Sequence, residues 1–197
     1  GQLLYAIAGL WIATQILRRY FAPRIALAAV LAGWLVSPLV YYQTARLSMS
    51  HSQVFTLAMV IFWLSLRLVD GDRRPRIWLL LGLTSGLLVV TRNVAFIYLT
   101  VPAWAAWLTL RRPAHAVLLA LGAAVPLSIQ GAAWKALYGS WFAYSYGGER
   151  FDFAHLHLGG VLFSPFHGWF YWHPMMLVGV GAFAWWGWRR TEARWWG

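Results

Sequence analysis

Residues 52–93 read SQVFTLAMVIFWLSLRLV, then DGDRRPR, then IWLLLGLTSGLLVV, then TRN. Two long apolar runs flank a seven-residue hydrophilic link that carries three arginines, and the second run stops at another arginine, Arg92. A helix rises about 1.5 Å per residue, so about 20 apolar residues cross a bilayer core of about 30 Å. Two such runs joined by a short basic turn read as a pair of antiparallel membrane helices.

The same pattern extends outward in both directions. Apolar runs recur at about 3–17, 25–42, 52–69, 77–91, 94–110, 115–137 and 172–188. The expected fold is therefore all-α: a polytopic transmembrane bundle of about seven spans, one domain over residues 1–197, with one longer outer-face loop at about 138–171. Composition agrees. The 197 residues are 61% hydrophobic and 11% charged, whereas a soluble domain carries about 25% charged residues. Some runs are short for a span and lean on flanking Trp and Tyr. Pro38, Pro102 and Pro126 lie within or near them, which membrane helices tolerate when neighbours re-satisfy the backbone. There is no cysteine, so disulfides and thiolate metal sites are excluded. The chain opens at Gly1 with no basic leader before the first apolar run, and reads as an internal piece of a longer protein.

The basic residues fix an orientation. Arg18, Arg19, Arg24, Arg67, Arg73, Arg74, Arg76, Arg111, Arg112, Arg189, Arg190 and Arg194 fall in one alternating set of loops, and Arg46, Arg92, Lys135 and Arg150 in the other. That is 12 against 4, all 16 Lys and Arg of the chain. The positive-inside rule assigns the first set to the cytoplasm, with Gly1 outside and Gly197 inside. The net charge of +11 thus records topology. Nucleic acid is not an expected partner, because no basic face with interleaved aromatics is offered to water. The expected partners are membrane lipids.

Unusual polar residues collect on the outer side. Arg92 sits in the turn Thr91-Arg92-Asn93 between two apolar runs. A guanidinium at that depth needs a partner. It either grips a lipid phosphate through paired hydrogen bonds or snorkels to headgroups. His51 opens the run after Arg46-Leu-Ser-Met-Ser, where Ser48 or Ser50 can cap the helix. The histidine either bonds a sugar or phosphate or is a simple interfacial residue. Glu149 and Asp152, the carboxylates of the outer loops, follow Tyr144-Ser145-Tyr146-Gly147-Gly148 and flank Arg150. They serve a sugar or acceptor, or form a local ion cluster with Arg150. His155 and His157, with Asp152 or His167, have weak metal-ligand spacing. No metal site is assigned.

Four stretches carry a family resemblance: LYGSWFAYSYGGERFDF (137–153), GVLFSPFHGWFYWHPMML (160–177), LSMSHSQVF (47–55) and VTRN (90–93). Together they resemble the C-type (GT-C) membrane glycosyltransferases, specifically bacterial relatives of the protein O-mannosyltransferases and the lipid A aminoarabinose transferase (family 39-like). Members carry a "YGS…Y…F" loop followed by an "LFSP-x-x-G-L-F-x-W-x-P" segment; here Trp169 stands for the usual Leu. The resemblance covers about residues 40–180. It implies an enzyme that moves a sugar from a polyprenyl-phosphate carrier to a glycan, lipid or protein acceptor. The enzyme would sit in the bacterial inner membrane as a multi-pass protein with its active side facing the periplasm. The donor phosphate would meet Arg92, and after it Arg46 or Arg150. His51, Tyr146, Glu149, Asp152 and His167 would lie against substrate. A divalent metal is compatible with this chemistry and is not assigned. In the resembling families the catalytic carboxylate lies in the first outer loop. No outer acid precedes Glu149 here, so the base is expected upstream of residue 1. The competing readings are a transporter or flippase for lipid-linked sugars, which would need broken, polar helices at mid-membrane, and a non-catalytic membrane subunit.

Overall fold

The computed structural model describes residues 1–46, 48–143, 157–166 and 168–195, with side chains as far as Arg189. It is all-helical, with no strand among the described residues. In chain order the helices are α1 (Gln2–Leu17), α2 (Pro23–Leu35), α3 (Leu39–Thr44), α4 (His51–Val69) and α5 (Pro75–Thr91). A 3-10 helix follows over Asn93–Leu99, then α6 (Thr100–Thr109), α7 (Pro113–Tyr138), α8 (Leu158–Phe163), α9 (Trp169–Trp172) and α10 (Pro174–Trp195). Two compact units result: Gly1–Val30 with Tyr41–Gly147, and Leu31–Val40 with Gly148–Gly197.

The ends of these helices follow from local chemistry. α5 and α7 each begin with a proline in the first turn, where its missing N–H costs nothing. α7 ends at Gly139, whose φ of 72° is left-handed and whose N–H bonds the Lys135 carbonyl, the usual glycine stop. The apolar run expected to be continuous over 25–42 is divided. α2 stops at Leu35 and α3 starts at Leu39, because Pro38 drives the residue before it out of the helical region. The run expected over 94–110 begins as a 3-10 helix and becomes α-helical only at Thr100.

In the first unit α4 is central. It packs on α1, α5 and α6, while α5 also packs on α7. Ile61, Leu64 and Leu68 of α4 meet Ile77, Trp78, Leu81 and Leu88 of α5, and Ala95 closes the cluster. The spacing 61, 64, 68 is one helical face. Thr56 Oγ1 donates to the Tyr5 carbonyl and ties α1 to α4. α5 and α7 approach through glycines. A Cβ on Gly82 would collide with the Leu119 carbonyl, and one on Gly86 would stand 2.6 Å from the Ala123 carbonyl oxygen and from Pro126 Cγ. Gly122 of α7 returns the contact, toward the backbone of Leu79 and Leu83. Small residues four apart let helix backbones touch. Beyond the glycines Trp78 stacks on His115, centroids 5.0 Å apart.

Two helices among the described residues, His51–Val69 and Pro113–Tyr138, are long and apolar enough to cross a membrane. The other apolar helices are shorter. Large apolar side chains face outward throughout; Leu4 is 73% exposed and Trp107 76%. A surface of that kind is not suited to water. In the second unit, α9 packs on α8 and α10, and Trp172 Nε1 donates to the Pro165 carbonyl at 3.0 Å.

Candidate functional site

The backbone singles out Arg92. α5 ends at Thr91, and Arg92 is extended at φ −159°, ψ 112° before the 3-10 helix starts at Asn93. Its N–H still bonds the Leu88 carbonyl, and its own carbonyl accepts from Ala95. One extended residue between two helices turns its side chain away from both axes. α4 runs antiparallel to α5 through the tight link at 70–74, so the first residue of α4, His51, arrives at the same end. Arg92 Nη1 lies 3.0 Å from His51 Nε2 and 3.4 Å from Nδ1. The Tyr42 ring of α3 stacks on the imidazole, with centroids 3.9 Å apart and planes at 23°.

Arg92 opens onto a cleft of about 350 Å³ lined by Ser50, Val90, Thr91, Arg92, Asn93, Gln130 and Trp134. Gln130 and Trp134 come from α7. With Gly122 and Pro126 they form a stripe at four-residue steps, one face of that helix. The lower half of the stripe is pressed onto Gly82 and Gly86, which brings the upper half beside the end of α5. Ser50 is the N-cap residue of α4, yet its side chain makes no capping hydrogen bond, so the capping account of that serine does not hold. The Thr91 hydroxyl donates to the Leu87 carbonyl at 2.7 Å and can only accept from a ligand. The cleft therefore presents one guanidinium, two carboxamides, two hydroxyls and an indole face.

Arg46 and Lys135, two other basic residues expected on the outer side, are engaged elsewhere. Arg46 Nε donates to the Tyr41 hydroxyl at 3.1 Å, a contact that pushes its pKa further up; Arg46 does not line the cleft. Lys135 Nζ donates to the Gly139 carbonyl at 2.7 Å and completes the C-cap of α7. Tyr146, Glu149, Arg150, Asp152, His155 and His167 lie outside the described residues, and His157 stands at the start of α8 in the second unit. The described carboxylates with placed side chains, Asp70 and Asp72, are both in the α4–α5 link and both ion-paired. Among the described residues no group of His, Cys, Asp and Glu has the arrangement of a metal site.

Sequence reasoning found Arg92 and His51 separately and did not foresee their contact. Trp134 and Tyr42 it did not single out. The signal for Trp134 was present in the four-residue spacing from Pro126 through Gln130, a polar and aromatic stripe on an otherwise apolar helix. No family model, no curated protein and no solved structure matches this chain.

Proposed function

We propose that this chain belongs to a multi-pass membrane glycosyltransferase of the C-type. It would take a sugar from a polyprenyl-phosphate carrier and pass it to an acceptor at the outer face of a bacterial inner membrane. The observation that carries the reading is Arg92. It stands at the mouth of a cleft with Asn93, Gln130 and Trp134, and among the described residues its side-chain partner is an imidazole, not a carboxylate. A guanidinium left in that state suits an anionic oxygen. The amides suit sugar hydroxyls, and an indole suits the flat face of a sugar ring.

The membrane arrangement behind this reading is seven spans, with α1, α2–α3, α4, α5, the 3-10 segment with α6, α7 and α10 each crossing. The short ones tilt little or thin the bilayer. It is supported by the 12-to-4 split of basic residues and the outward apolar side chains. The ion pairs and the cleft also fall at opposite ends of α4 and α5. An acceptor hydroxyl needs a positioned base. Neither Asp70 nor Asp72 is at the cleft end, so the base is left to residues outside those described.

The test is sugar transfer from a polyprenyl-phosphate donor by the full-length protein in membranes. Arg92→Ala is expected to lower transfer about 100-fold or more, in the range for losing a charge-stabilising donor. Arg92→Lys should recover part of it, since lysine lacks the two-pronged geometry. Arg73→Ala should stay near wild type. Equal and mild effects at positions 92 and 73 would reduce Arg92 to an interfacial anchor and remove this reading.

A further inference from the structure

His51 was expected to touch substrate, yet its ring is already committed. Tyr42 covers it at 3.9 Å, and Arg92 Nη1 meets it at 3.0 Å. A guanidinium has only N–H donors and never loses its proton in a protein. Nη1 is within 3.4 Å of both ring nitrogens, so it stands over the face of the imidazole, out of line with the in-plane lone pair of either. An imidazolium in the same place would put two cations in contact. The stacked tyrosine sets the plane of the ring, so the face offered to the guanidinium has a fixed direction.

That arrangement addresses a problem specific to Arg92. An arginine side chain has several rotatable bonds, and among the described residues no carboxylate holds this one. Holding Nη1 on His51 leaves Nε and Nη2 for a ligand and removes most of the rotamers that would carry the fork away. We propose that His51 is the positioning residue for Arg92: a neutral imidazole, oriented by Tyr42, that aims the guanidinium into the cleft at the phosphate. This rests on the reading of the cleft as a phosphate site. It adds a separable claim, that His51 acts through Arg92 and not on the ligand.

Two substitutions divide the roles of the ring. His51→Phe keeps an uncharged aromatic face for both Tyr42 and the guanidinium. His51→Gln removes that face. The full-length protein is placed in phosphatidylcholine nanodiscs, and its affinity for a polyprenyl monophosphate is measured along with its unfolding temperature. His51→Gln is expected to bind about tenfold more weakly, the scale of one lost cation–π contact in a partly desolvated site, at an unchanged unfolding temperature. Should it unfold early, His51→Leu replaces it. His51→Phe should stay within about threefold of wild type by the same scale. Arg92→Ala should lose binding, and adding His51→Gln to it should cost nothing more, because a positioning residue has no effect once its object is gone.

Three results overturn the proposal. His51→Gln at wild-type affinity, with Arg92→Ala defective, removes the positioning role and leaves the phosphate site standing. A further loss when His51→Gln is added to Arg92→Ala means that His51 acts on the ligand itself. Arg92→Ala at wild-type affinity removes both the phosphate site and the positioning role.

Discussion

The two ends of the first unit use arginine in opposite ways. At the α4–α5 link, Arg19 pairs with Asp70, and Asp72 is held by both Arg67 and Arg74. Arg67 also lies over the Trp63 ring, 5.0 Å from its centroid. At the far end of the same two helices, Arg92 faces His51 and an open cleft. The paired arginines tie loops together and have their charge met within the protein. The one beside an imidazole lines the cleft and has no carboxylate partner among the described residues. An arginine's partner, more than its presence, separates an anchor from a binding group.

The largest effect this contrast predicts is all-or-none. If the two ends lie on opposite sides of a membrane, single cysteines at Arg73 and Ser140 must react from opposite sides. The chain has no cysteine of its own, so each replacement is its sole thiol. An impermeant thiol reagent added outside sealed cells should label Ser140→Cys and spare Arg73→Cys until the membrane is opened. Labelling of both from outside would end the assignment of the cleft to one face and the ion pairs to the other.

A smaller effect is expected midway between the ends, where α5 and α7 touch. Gly86→Ala must displace backbone at Ala123 or the ring of Pro126, both 2.6 Å from the new carbon. Overpacking of this kind costs about 1–3 kcal/mol. Gly33→Ala, whose added carbon meets nothing within 4 Å, serves as the control. Gly86 lies one turn before the Val90–Asn93 wall of the cleft. Gly86→Ala should therefore lower both the unfolding temperature and donor affinity, while Gly33→Ala should lower neither. Unchanged donor affinity in a destabilised Gly86→Ala would mean that the cleft does not depend on how closely α5 approaches α7.

Much of this was legible in the sequence, for identifiable reasons. Apolar runs and arginine clusters are local features, so the helices and the special place of Arg92 could be read directly. The break between α2 and α3 was signalled by Pro38 but hidden by the tolerance of membrane helices for proline. The Arg92–His51 contact joins residues 41 apart and depends on how α4 lies against α5, which no local pattern states. The approach of α5 to α7 was half visible. Gly82 and Gly86 stand four apart, but only their packing on Gly122 shows which helix they admit.

The smallest predicted effect belongs to the ion-paired end and concerns Asp72. Arg74 donates to its carboxylate through Nε at 2.7 Å and Nη2 at 2.6 Å, and Arg67 adds a second guanidinium. Chiefly the Arg74 bonds, and then those from Arg67, hold its pKa well below the usual carboxylate range, against desolvation that would raise it. A depressed folded-state pKa means that the charged form is favoured by folding. The contribution is complete above the unfolded value, near 4, and is lost as pH falls from there toward the folded value. Asp72→Asn should therefore unfold slightly below wild type at pH 7, with a gap constant from pH 8 to about 5 that closes below about 4. The gap should stay small, because Arg74 is half-exposed and solvent screens such pairs. Donor affinity at Arg92 should not change. A gap that persists undiminished in acid would show that Asp72 holds the α4–α5 link by its shape and not by its charge, and the two ends would then differ less than their arginines suggest.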